Sequence, residues 1–353
     1  MKKFAVFSGF LGAGKTTAMM ELTKYYTEHY GKAAMISNDL GCSGLADNKF
    51  ANLEGCSASE LTGECICYQT ENLVERLDQL FDRDGCELVI SDIPGFGVGA
   101  LNHVYHTLQR DYTDRYELAP FTVLVEPRTV ELLRGKRGGD LQYILHTQLV
   151  EADLILLNKC DLLDAQQMEQ DFSYLKDHYA QASVAGISAR TGQGMEELSQ
   201  MLVHSAASMR LPDIGYGGAE FSCAMSHMSE YNMQYYAEVC CHHFDGNFYL
   251  MDLAKTVQRG ILEAGYEIPH LKLLAWGAEG DYGKADLLGT DRPVEIVKRF
   301  ETPCREIAVI LNGSASCPGE KLDQIITGAV EQVSKRYQLS LMIYKKECFG
   351  MGE

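Results

Sequence analysis

The 353-residue chain contains 46 % hydrophobic residues, enough to build two packed cores, which excludes a chain that is disordered as a whole. Lys and Arg number 31 against 49 Asp and Glu, so the net charge is -18 and binding to nucleic acid or to an anionic membrane is not expected. Glycines and Lys15 interrupt the first apolar run, which predicts a buried strand rather than a signal peptide. No stretch approaches the roughly 20 apolar residues of a membrane-spanning helix, so we expect a cytoplasmic protein. Its 12 cysteines are then expected to be reduced thiols, some of them metal ligands.

From Lys3 to about Arg210, short apolar runs alternate with segments of helical periodicity, the pattern of a parallel sheet covered by helices. The predicted strands are Phe4–Ser8, Ala33–Ser37, Leu88–Asp92, Phe121–Val125, Leu154–Asn158 and Val184–Ser188. The predicted helices are Thr16–His29, Thr70–Phe81, Leu141–Leu149, Gln166–His178 and Met195–Ser205. These elements predict a doubly wound α/β domain over residues 1–210.

Proline and clustered glycines interrupt this periodicity at residues 211–218, which we interpret as a linker. A smaller α+β domain is expected over residues 219–353. Its predicted strands are Phe221–Met225, Leu271–Trp276, Val294–Arg299, Ile307–Leu311 and Leu339–Tyr344, and its predicted helices are Leu250–Glu263 and Glu320–Arg336.

The segment Gly9–Thr16 reads GFLGAGKT and fits the phosphate-binding pattern GxxxxGK[ST], directly after a predicted strand and at the start of a predicted helix. Glycines let backbone N–H groups approach phosphates, and the amino end of a helix favours anions. Lys15 supplies positive charge near the transferred phosphoryl group, and the hydroxyl of Thr16 is expected to hold Mg²⁺. The predicted phosphate-binding residues are Gly12, Ala13, Gly14, Lys15, Thr16 and Thr17.

Asp92 follows the third predicted strand and opens the sequence Asp-Ile-Pro-Gly. A carboxylate at this place usually reaches Mg²⁺ through water, and the glycine, Gly95, is placed to sense the γ-phosphate. Lys15, Thr16 and Asp92 are therefore the predicted catalytic residues.

The sequence Asn158-Lys159-Cys160-Asp161 follows another apolar strand and indicates which base is bound. A carboxylate at Asp161 can accept hydrogen bonds from both the ring N–H and the exocyclic amine of guanine, a pair of donors that adenine lacks. Ser188 and Ala189, after the sixth predicted strand, are expected to close over the base. GTP is thus predicted in preference to ATP.

These motifs, with several shorter ones, resemble those of the CobW/HypB/UreG family of P-loop GTPases, and most of all its CobW branch, over residues 1–207. The further matching residues are Asn38-Asp39-Leu40-Gly41, Gly44, Asp47, Glu60-Leu61, Cys65-Ile66-Cys67, Gln148, Ala152-Asp153 and Leu157 to Leu162. The chain departs from the branch at Tyr68, which replaces a third cysteine, at Glu64, which replaces a glycine, and at Asp92, where glutamate is more usual. Residues 219–353 do not resemble the carboxyl-terminal domain of that branch.

The resemblance implies a P-loop NTPase fold with a mostly parallel sheet, and GTP hydrolysis coupled to delivery of Zn²⁺, Co²⁺ or Ni²⁺ to a client metalloenzyme or corrinoid protein. A GTPase switch that activates or protects such a client without carrying metal is the open alternative. A homodimer is also left open.

Cys65 and Cys67 precede the helix predicted to start at Thr70, where the amino end of a helix favours thiolates. Two thiolates do not fill a tetrahedral zinc shell. Cys42, Cys56, Asp39 or a second protomer are candidates for the remaining ligands, and Asp39 is also a candidate Mg²⁺ or switch residue. Packing of reduced cysteines stays the alternative interpretation. A second thiol cluster, Cys240-Cys241-His242-His243, is expected to be structural, and Cys348 is expected to be exposed in a mobile tail.

Overall fold

A computed structural model of the chain describes residues 2–39, 46–95, 97–135, 140–214, 218–226, 228–240 and 242–350. It divides into two compact units, Met1–Ser43 with Ala51–Phe221, and Gly44–Phe50 with Ser222–Glu353. The linker at residues 211–218 stays a prediction. Within the described ranges, no helix combines the length and the apolar character that crossing a membrane requires.

The elements of the first 210 residues follow one another as alternating strands and helices. The strands are β1 (Lys3–Ser8), β2 (Ala33–Asp39), β3 (Ala58–Thr62), β4 (Leu88–Asp92), β5 (Glu117–Leu118), β6 (Thr122–Val125), β7 (Leu154–Leu157) and β8 (Ser183–Gly186). The helices are α1 (Lys15–His29), α2 (Ala46–Leu53), α3 (Thr70–Asp78), α4 (Thr107–Asp111), α5 (Pro127–Arg134), α6 (Asp140–Glu151), α7 (Ala165–His178) and α8 (Met195–His204). Two π-helical segments, Gln79–Arg83 and Leu101–His106, extend α3 and precede α4.

The sheet of the first unit has the strand order β3-β2-β4-β1-β6-β7-β8, with the two-residue β5 also paired to β1. Neighbouring strands run parallel. The central strands β1, β6 and β7 are buried along their whole length, as expected for parallel strands covered on both faces by helices. The predicted fold class, a P-loop NTPase domain with a mostly parallel sheet, is confirmed.

Several short elements are absent from the prediction. β3 has the sequence Ala-Ser-Glu-Leu-Thr, of which only Leu61 is fully buried, so it carries little of the apolar signal that marks the central strands. α5 begins with Pro127 in its first turn, a position that tolerates proline because the missing N–H has no partner within the helix.

The strand predicted at Phe221–Met225 is wrong, because these residues lie in helix α9 (Ala219–Ser226). A run this short satisfies the pattern of either element.

The elements after α9 are β9 (Ser229–Glu238), α10 (Gly246–Glu263), β10 (His270–Trp276), β11 (Tyr282–Leu287), β12 (Glu295–Lys298), β13 (Glu306–Ala315), α11 (Gly319–Arg336) and β14 (Ser340–Gly350). They form a six-stranded antiparallel sheet in the order β12-β11-β10-β13-β9-β14. Apolar residues of α10 and α11 share one core with alternate residues of β9, β10 and β13. The predicted α+β domain is confirmed, although β9 and β11 are absent from the prediction.

The cysteines of this unit differ from their predicted settings. β9 ends at Glu238, so Cys240 follows the strand and is exposed, while Cys241 lies outside the described residues. The prediction of an exposed tail at Cys348 is wrong, because Cys348 lies within β14 and its Sγ is 3.1 Å from the carbonyl oxygen of Gly319. β14 is an edge strand whose register on β9 shifts between Ile343 and Lys345.

Tyr105 supplies a hydrogen bond that the sheet of the first unit does not. β1 pairs with β5 at its start and with β6 at its end, and Val6 falls between the two pairings. The N–H of Val6 donates instead to the hydroxyl of Tyr105 at 3.0 Å. Both residues are fully buried, so this bond replaces a missing link of the ladder.

Replacing Tyr105 by Phe is expected to lower the free energy of unfolding by about 1–3 kcal/mol, because the N–H of Val6 would stay buried without an acceptor. The measurement is urea unfolding of the full chain followed by circular dichroism. The control is Tyr30→Phe, since Tyr30 is 45 % exposed and its hydroxyl accepts from the amide of Gln200 at the surface. Equal stability of the two variants would contradict this role of Tyr105.

Candidate functional site

The phosphate-binding loop connects β1 to α1 and lies at the amino end of that helix. Gly9 has a φ of +131°, and a Cβ added there would lie 2.3 Å from the carbonyl oxygen of Leu124 in β6. Only glycine therefore fits where the loop leaves the sheet. Gly12, Ala13 and Gly14 complete the turn before Lys15 opens α1. The loop thus presents backbone N–H groups at the amino end of a helix, an arrangement that binds anions.

Lys15 is held against its own loop. Its Nζ donates to the carbonyl oxygen of Gly9 at 2.5 Å, and the residue is only 9 % exposed. Thr16 is half-buried and Thr17 exposed in the first turn of α1. The predicted phosphate-binding residues therefore occupy one continuous loop and helix turn.

Asn158 joins three loops at the carboxyl edge of the sheet. Its Nδ2 donates to the carbonyl oxygen of Ala13 in the phosphate loop at 2.8 Å. Its Oδ1 accepts from the N–H of Lys159 at 2.8 Å and from the N–H of Ala189 at 3.0 Å. The side chain is buried, and its bonds to Ala13 and Ala189 are shielded from water. The phosphate loop and the two predicted base-binding segments are thus fixed to one another by one amide.

Asp161 is exposed beside this junction and is oriented by Ser188. The hydroxyl of the fully buried Ser188 donates to Oδ1 of Asp161 at 2.7 Å. Lys159 adopts a left-handed conformation with φ of 64°, and its ammonium pairs with Glu126 at 2.5 Å. The structure therefore brings Asn158, Lys159, Asp161, Ser188 and Ala189 together, with one carboxylate available to accept from a base edge.

The loop after β4 carries Asp92 and Gly95. Oδ1 of Asp92 accepts from the backbone N–H of Asn38 in β2 at 2.8 Å. Gly95 lies against the phosphate loop, since a Cβ added there would be 2.3 Å from Cδ2 of Leu11. Asp92 thus ends its strand facing β2, while Gly95 lies beside the phosphate loop.

Two buried residues of α6 hold the rest of this loop. Nε2 of Gln148 donates to the carbonyl oxygens of Gly95 at 3.0 Å and of Gly97 at 3.1 Å. The carboxyl group of Glu151 accepts from the N–H of Gly99 at 2.7 Å and from the N–H of Leu101 at 3.3 Å. Burial raises the pKa of Glu151 to about 7, against the two backbone hydrogen bonds, which lower it. Sequence reasoning missed Glu151, although its spacing of three from Gln148 places both on one helix face.

The sulfur atoms of Cys65 and Cys67 lie 3.1 Å apart in the turn that leads into α3. The turn is closed by the N–H of Tyr68, which donates to the carbonyl oxygen of Cys65 at 2.9 Å. The hydrogen bond between the thiols lowers the pKa of Cys65, against burial and the negative charge of Asp92, which raise it. The same hydrogen bond, burial and the charge of Cys65 raise the pKa of Cys67 well above its ordinary value. Cys65 is therefore the thiol that ionises first.

The other candidate ligands do not join this pair among the described residues. Cys56 faces α1, where its Sγ lies 3.7 Å from the carbonyl oxygen of Met20. Cys42 lies outside the described residues, as does the side chain of Asp39 at the end of β2. In the described part of the chain, no group of three or more His, Cys, Asp or Glu side chains could hold a metal ion. Two thiols would supply half of a tetrahedral zinc shell.

Comparison with known proteins gives one family match and several relatives. The family described as CobW/HypB/UreG, nucleotide-binding domain, matches residues 3–184. The zinc chaperone CobW of a Sinorhizobium species is 26 % identical over 192 residues, covering 46 % of this chain and 52 % of the relative. The chain therefore spans about half the length of this curated relative.

Two solved structures of bacterial proteins are similar to the chain. HypB from Helicobacter pylori in complex with nickel has a TM-score of 0.41 and 16 % identity, covering 57 % of this chain and 86 % of that chain. The Zn(II)-bound YjiA GTPase from E. coli has a TM-score of 0.37 and 15 % identity, covering 92 % and 98 %.

Glu151 is expected to make stability depend on pH. Its folded-state pKa of about 7 lies above the ordinary value of 4.5, so the folded protein holds this proton more tightly than the unfolded chain. The stabilisation by this proton is complete below pH 4.5, the ordinary pKa, and is lost as the pH rises through the folded-state pKa of about 7. The free energy of unfolding changes by about 3 kcal/mol over this range. Between about pH 5 and about pH 8, the free energy of unfolding should fall more steeply in the unmodified protein than in Glu151→Gln, which cannot titrate.

The measurement is urea unfolding of the full chain at both pH values, with the exposed Glu197→Gln as the matched control. The fluorescence of Trp276, the single tryptophan, marks the transition of the second unit separately. Parallel pH curves for the unmodified protein and Glu151→Gln would contradict the raised pKa.

Proposed function

The chain belongs to the CobW/HypB/UreG family, whose nucleotide-binding domain matches residues 3–184, and from this premise we propose that it is a GTPase metallochaperone. In this proposal it binds GTP with Mg²⁺, hydrolyses GTP slowly, and couples the nucleotide state to delivery of Zn²⁺, Co²⁺ or Ni²⁺ to a client metalloprotein. The observation that carries the proposal is that a buried thiol pair and the nucleotide motifs lie in one unit. There the N–H of Asn38 donates to Asp92, and its side chain accepts from the N–H of Ile66, between the two cysteines.

The nucleotide part of the proposal is supported by the side chains that meet at the carboxyl edge of the sheet. The phosphate loop and Lys15 would receive the phosphates, while Thr16 and Asp92 would hold Mg²⁺ directly and through water. Asp161, aligned by Ser188, would accept the two donors of guanine. Catalysis here is mainly positioning and charge stabilisation, so few groups besides these are required.

The metal part is supported by the geometry of the thiol pair. A thiolate is the form of cysteine that binds metal, and Cys65 is the thiol whose pKa is lowered. An incomplete shell suits a cargo that must leave again, because a closed four-thiolate site holds zinc structurally. The ion is thus cargo, and its remaining ligands would come from water, from the client or from residues outside the described ranges.

The second candidate function is a GTPase switch that activates or protects a metalloenzyme or corrinoid protein without carrying metal. It is favoured by the small number of metal ligands, because the described residues supply two thiols where a tetrahedral zinc site needs four ligands. Tyr68, which stands where the CobW branch has a third cysteine, is 61 % exposed.

Replacing Asp161 by Asn is expected to weaken GTP binding by about a hundredfold, because hydrogen bonds to a charged acceptor are worth about 1.5–3 kcal/mol each. ATP binding should change little, since adenine lacks the donor pair. The measurement is competition of GTP and ATP against a fluorescent guanine nucleotide. Asp164→Asn is the matched control, because Asp164 caps α7 three residues further on. Equal competition by GTP and ATP in the unmodified protein would contradict the assignment of guanine.

The thiol pair is expected to bind metal in a manner that depends on nucleotide. The affinity of the anaerobic, fully reduced protein for Zn²⁺, Co²⁺ and Ni²⁺ is measured by competition with a chelator, with Mg²⁺ plus either GDP or a non-hydrolysable GTP analogue. Nucleotide-dependent binding should be lost in the double variant Cys65→Ser, Cys67→Ser.

Cys86→Ser serves as control for this measurement, because Cys86 is buried in the same core as the thiol pair. Its loss should leave binding unchanged. Absence of metal binding in every nucleotide state would contradict metal delivery and leave the switch without cargo.

A further inference from the structure

Asn38 lies between the thiol pair and Asp92, and it contacts both sides through different parts of the residue. Its backbone N–H donates to Oδ1 of Asp92 at 2.8 Å. Its side-chain amide brackets the turn that contains the two cysteines. Nδ2 donates to the carbonyl oxygens of Leu61 at 3.0 Å and Glu64 at 2.9 Å, and Oδ1 accepts from the N–H of Ile66 at 2.9 Å.

The three side-chain bonds of Asn38 require a group that both donates and accepts, as the asparagine amide does. The residue is 5 % exposed, and its bonds to Leu61 and Ile66 are buried, so water does not compete for those two bonds. Aspartate would offer no donor to the two carbonyls, and alanine would leave all three loop groups without this partner. Ile66 is the residue between the two cysteines, so the bond to its N–H fixes the backbone from which both thiols project.

The backbone N–H of Asn38 contacts Asp92, the carboxylate predicted to lie beside Mg²⁺. Asp92 pairs with β1 in the register Phe7 to Asp92, next to the start of the phosphate loop. A turn of Asp92 toward the hydration shell of a nucleotide-bound Mg²⁺ would weaken its bond to the N–H of Asn38. Because Asn38 lies beyond Ile36, the last residue of β2 that pairs with β4, its backbone could then shift. That shift would carry the side-chain amide, and with it the turn of Cys65 and Cys67.

We propose that Asn38 is the positioning residue that transmits the nucleotide state at Asp92 to the thiol pair. This inference rests on the proposed function, because it takes Asp92 as the carboxylate beside Mg²⁺. It assigns the coupling to one buried side chain of the first unit. By linkage, the factor by which nucleotide changes zinc affinity equals the factor by which zinc changes nucleotide affinity, so the role can be measured from either side.

Asn38→Ala removes the side-chain bonds to the turn of the cysteines and keeps the backbone bond to Asp92. The backbone N–H that contacts Asp92 is present in every variant, so affinity for Mg²⁺ with a GTP analogue, without zinc, should stay unchanged. Zinc affinity without nucleotide should fall modestly as the turn loosens. The coupling factor, about fivefold to a hundredfold in a typical allosteric protein, should collapse to about one. A merely structural role would lower zinc affinity in every nucleotide state and leave this ratio intact.

The matched control is Asn52→Ala. Asn52 also brackets backbone with its amide, donating to the carbonyl oxygen of Ala58 at 3.0 Å and accepting from its N–H at 3.3 Å. Ala58 lies at the opposite end of β3 from the turn of the cysteines. This variant should keep the coupling factor of the unmodified protein. If Asn38→Ala does not fold, Asn38→Asp keeps the acceptor for Ile66 and removes both donors, with the same expected loss of coupling.

A second readout needs no zinc. The rate at which iodoacetamide alkylates Cys65 and Cys67 is followed by mass spectrometry, with and without Mg²⁺ and the GTP analogue, and with Cys86 as the reference within the same chain. In the unmodified protein the nucleotide should change this rate at least about fivefold, and in Asn38→Ala it should not.

Retention of the nucleotide effect in Asn38→Ala, in zinc affinity or in alkylation, would overturn the role of Asn38. It would leave the proposed function standing if the unmodified protein binds zinc in a nucleotide-dependent way. Absence of zinc binding with an intact alkylation effect would overturn metal delivery and leave Asn38 as the transmitting residue. Absence of both effects in the unmodified protein would overturn both.

Discussion

Backbone groups at the carboxyl edge of the parallel sheet must find hydrogen-bond partners after the strands have ended, and this constraint organises the whole of the first unit. The ladder stops at the last strand residue, while the loops that follow remain buried. Three side-chain amides meet the requirement. Asn38 binds backbone groups in the turn of the cysteines, and Gln148 binds those in the loop after Asp92. Asn158 binds those in the phosphate loop and in both predicted base-binding segments. Glu151 adds a carboxyl group that serves two further N–H groups.

This solution separates rigid parts from movable ones. Strands such as β1 and β7 are held by ladders on both sides, so displacing them would break many bonds at once. Each of these side chains makes only two or three bonds to the loop it contacts, so a ligand that draws on one of them can shift a loop at small cost in free energy. The predicted nucleotide residues and the thiol pair lie where the sheet is fixed and the connecting segments can respond.

The sequence predicted the central sheet well, and it also predicted the nucleotide residues, which the structure places at one edge of that sheet, for a physical reason. Buried parallel strands are apolar throughout, and the glycines and Lys15 follow from the geometry of phosphate binding. The residues that hold the loops left no comparable signal. The side chains of Asn38 and Glu151 bind backbone groups that become their neighbours only when the sheet is assembled. β3, with mixed polarity, and the helix at Phe221–Met225 were missed because short runs satisfy either periodicity. Cys56 follows Cys42 closely in the chain but faces α1, which spacing alone did not indicate.

The shifted register of β14 affects how the second unit behaves when molecules meet at high concentration. Edge strands with exposed apolar side chains invite pairing with the edge of another molecule, and Met342, Ile343 and Tyr344 are exposed in this strand. The register shifts after Ile343, and Lys345 and Lys346, which pair with Glu347 and Asp323, follow the apolar residues. Bulges and lysines are the features by which natural sheets resist growing at their edges. We therefore expect the register shift and the two lysines to disfavour edge-to-edge pairing at Met342, Ile343 and Tyr344.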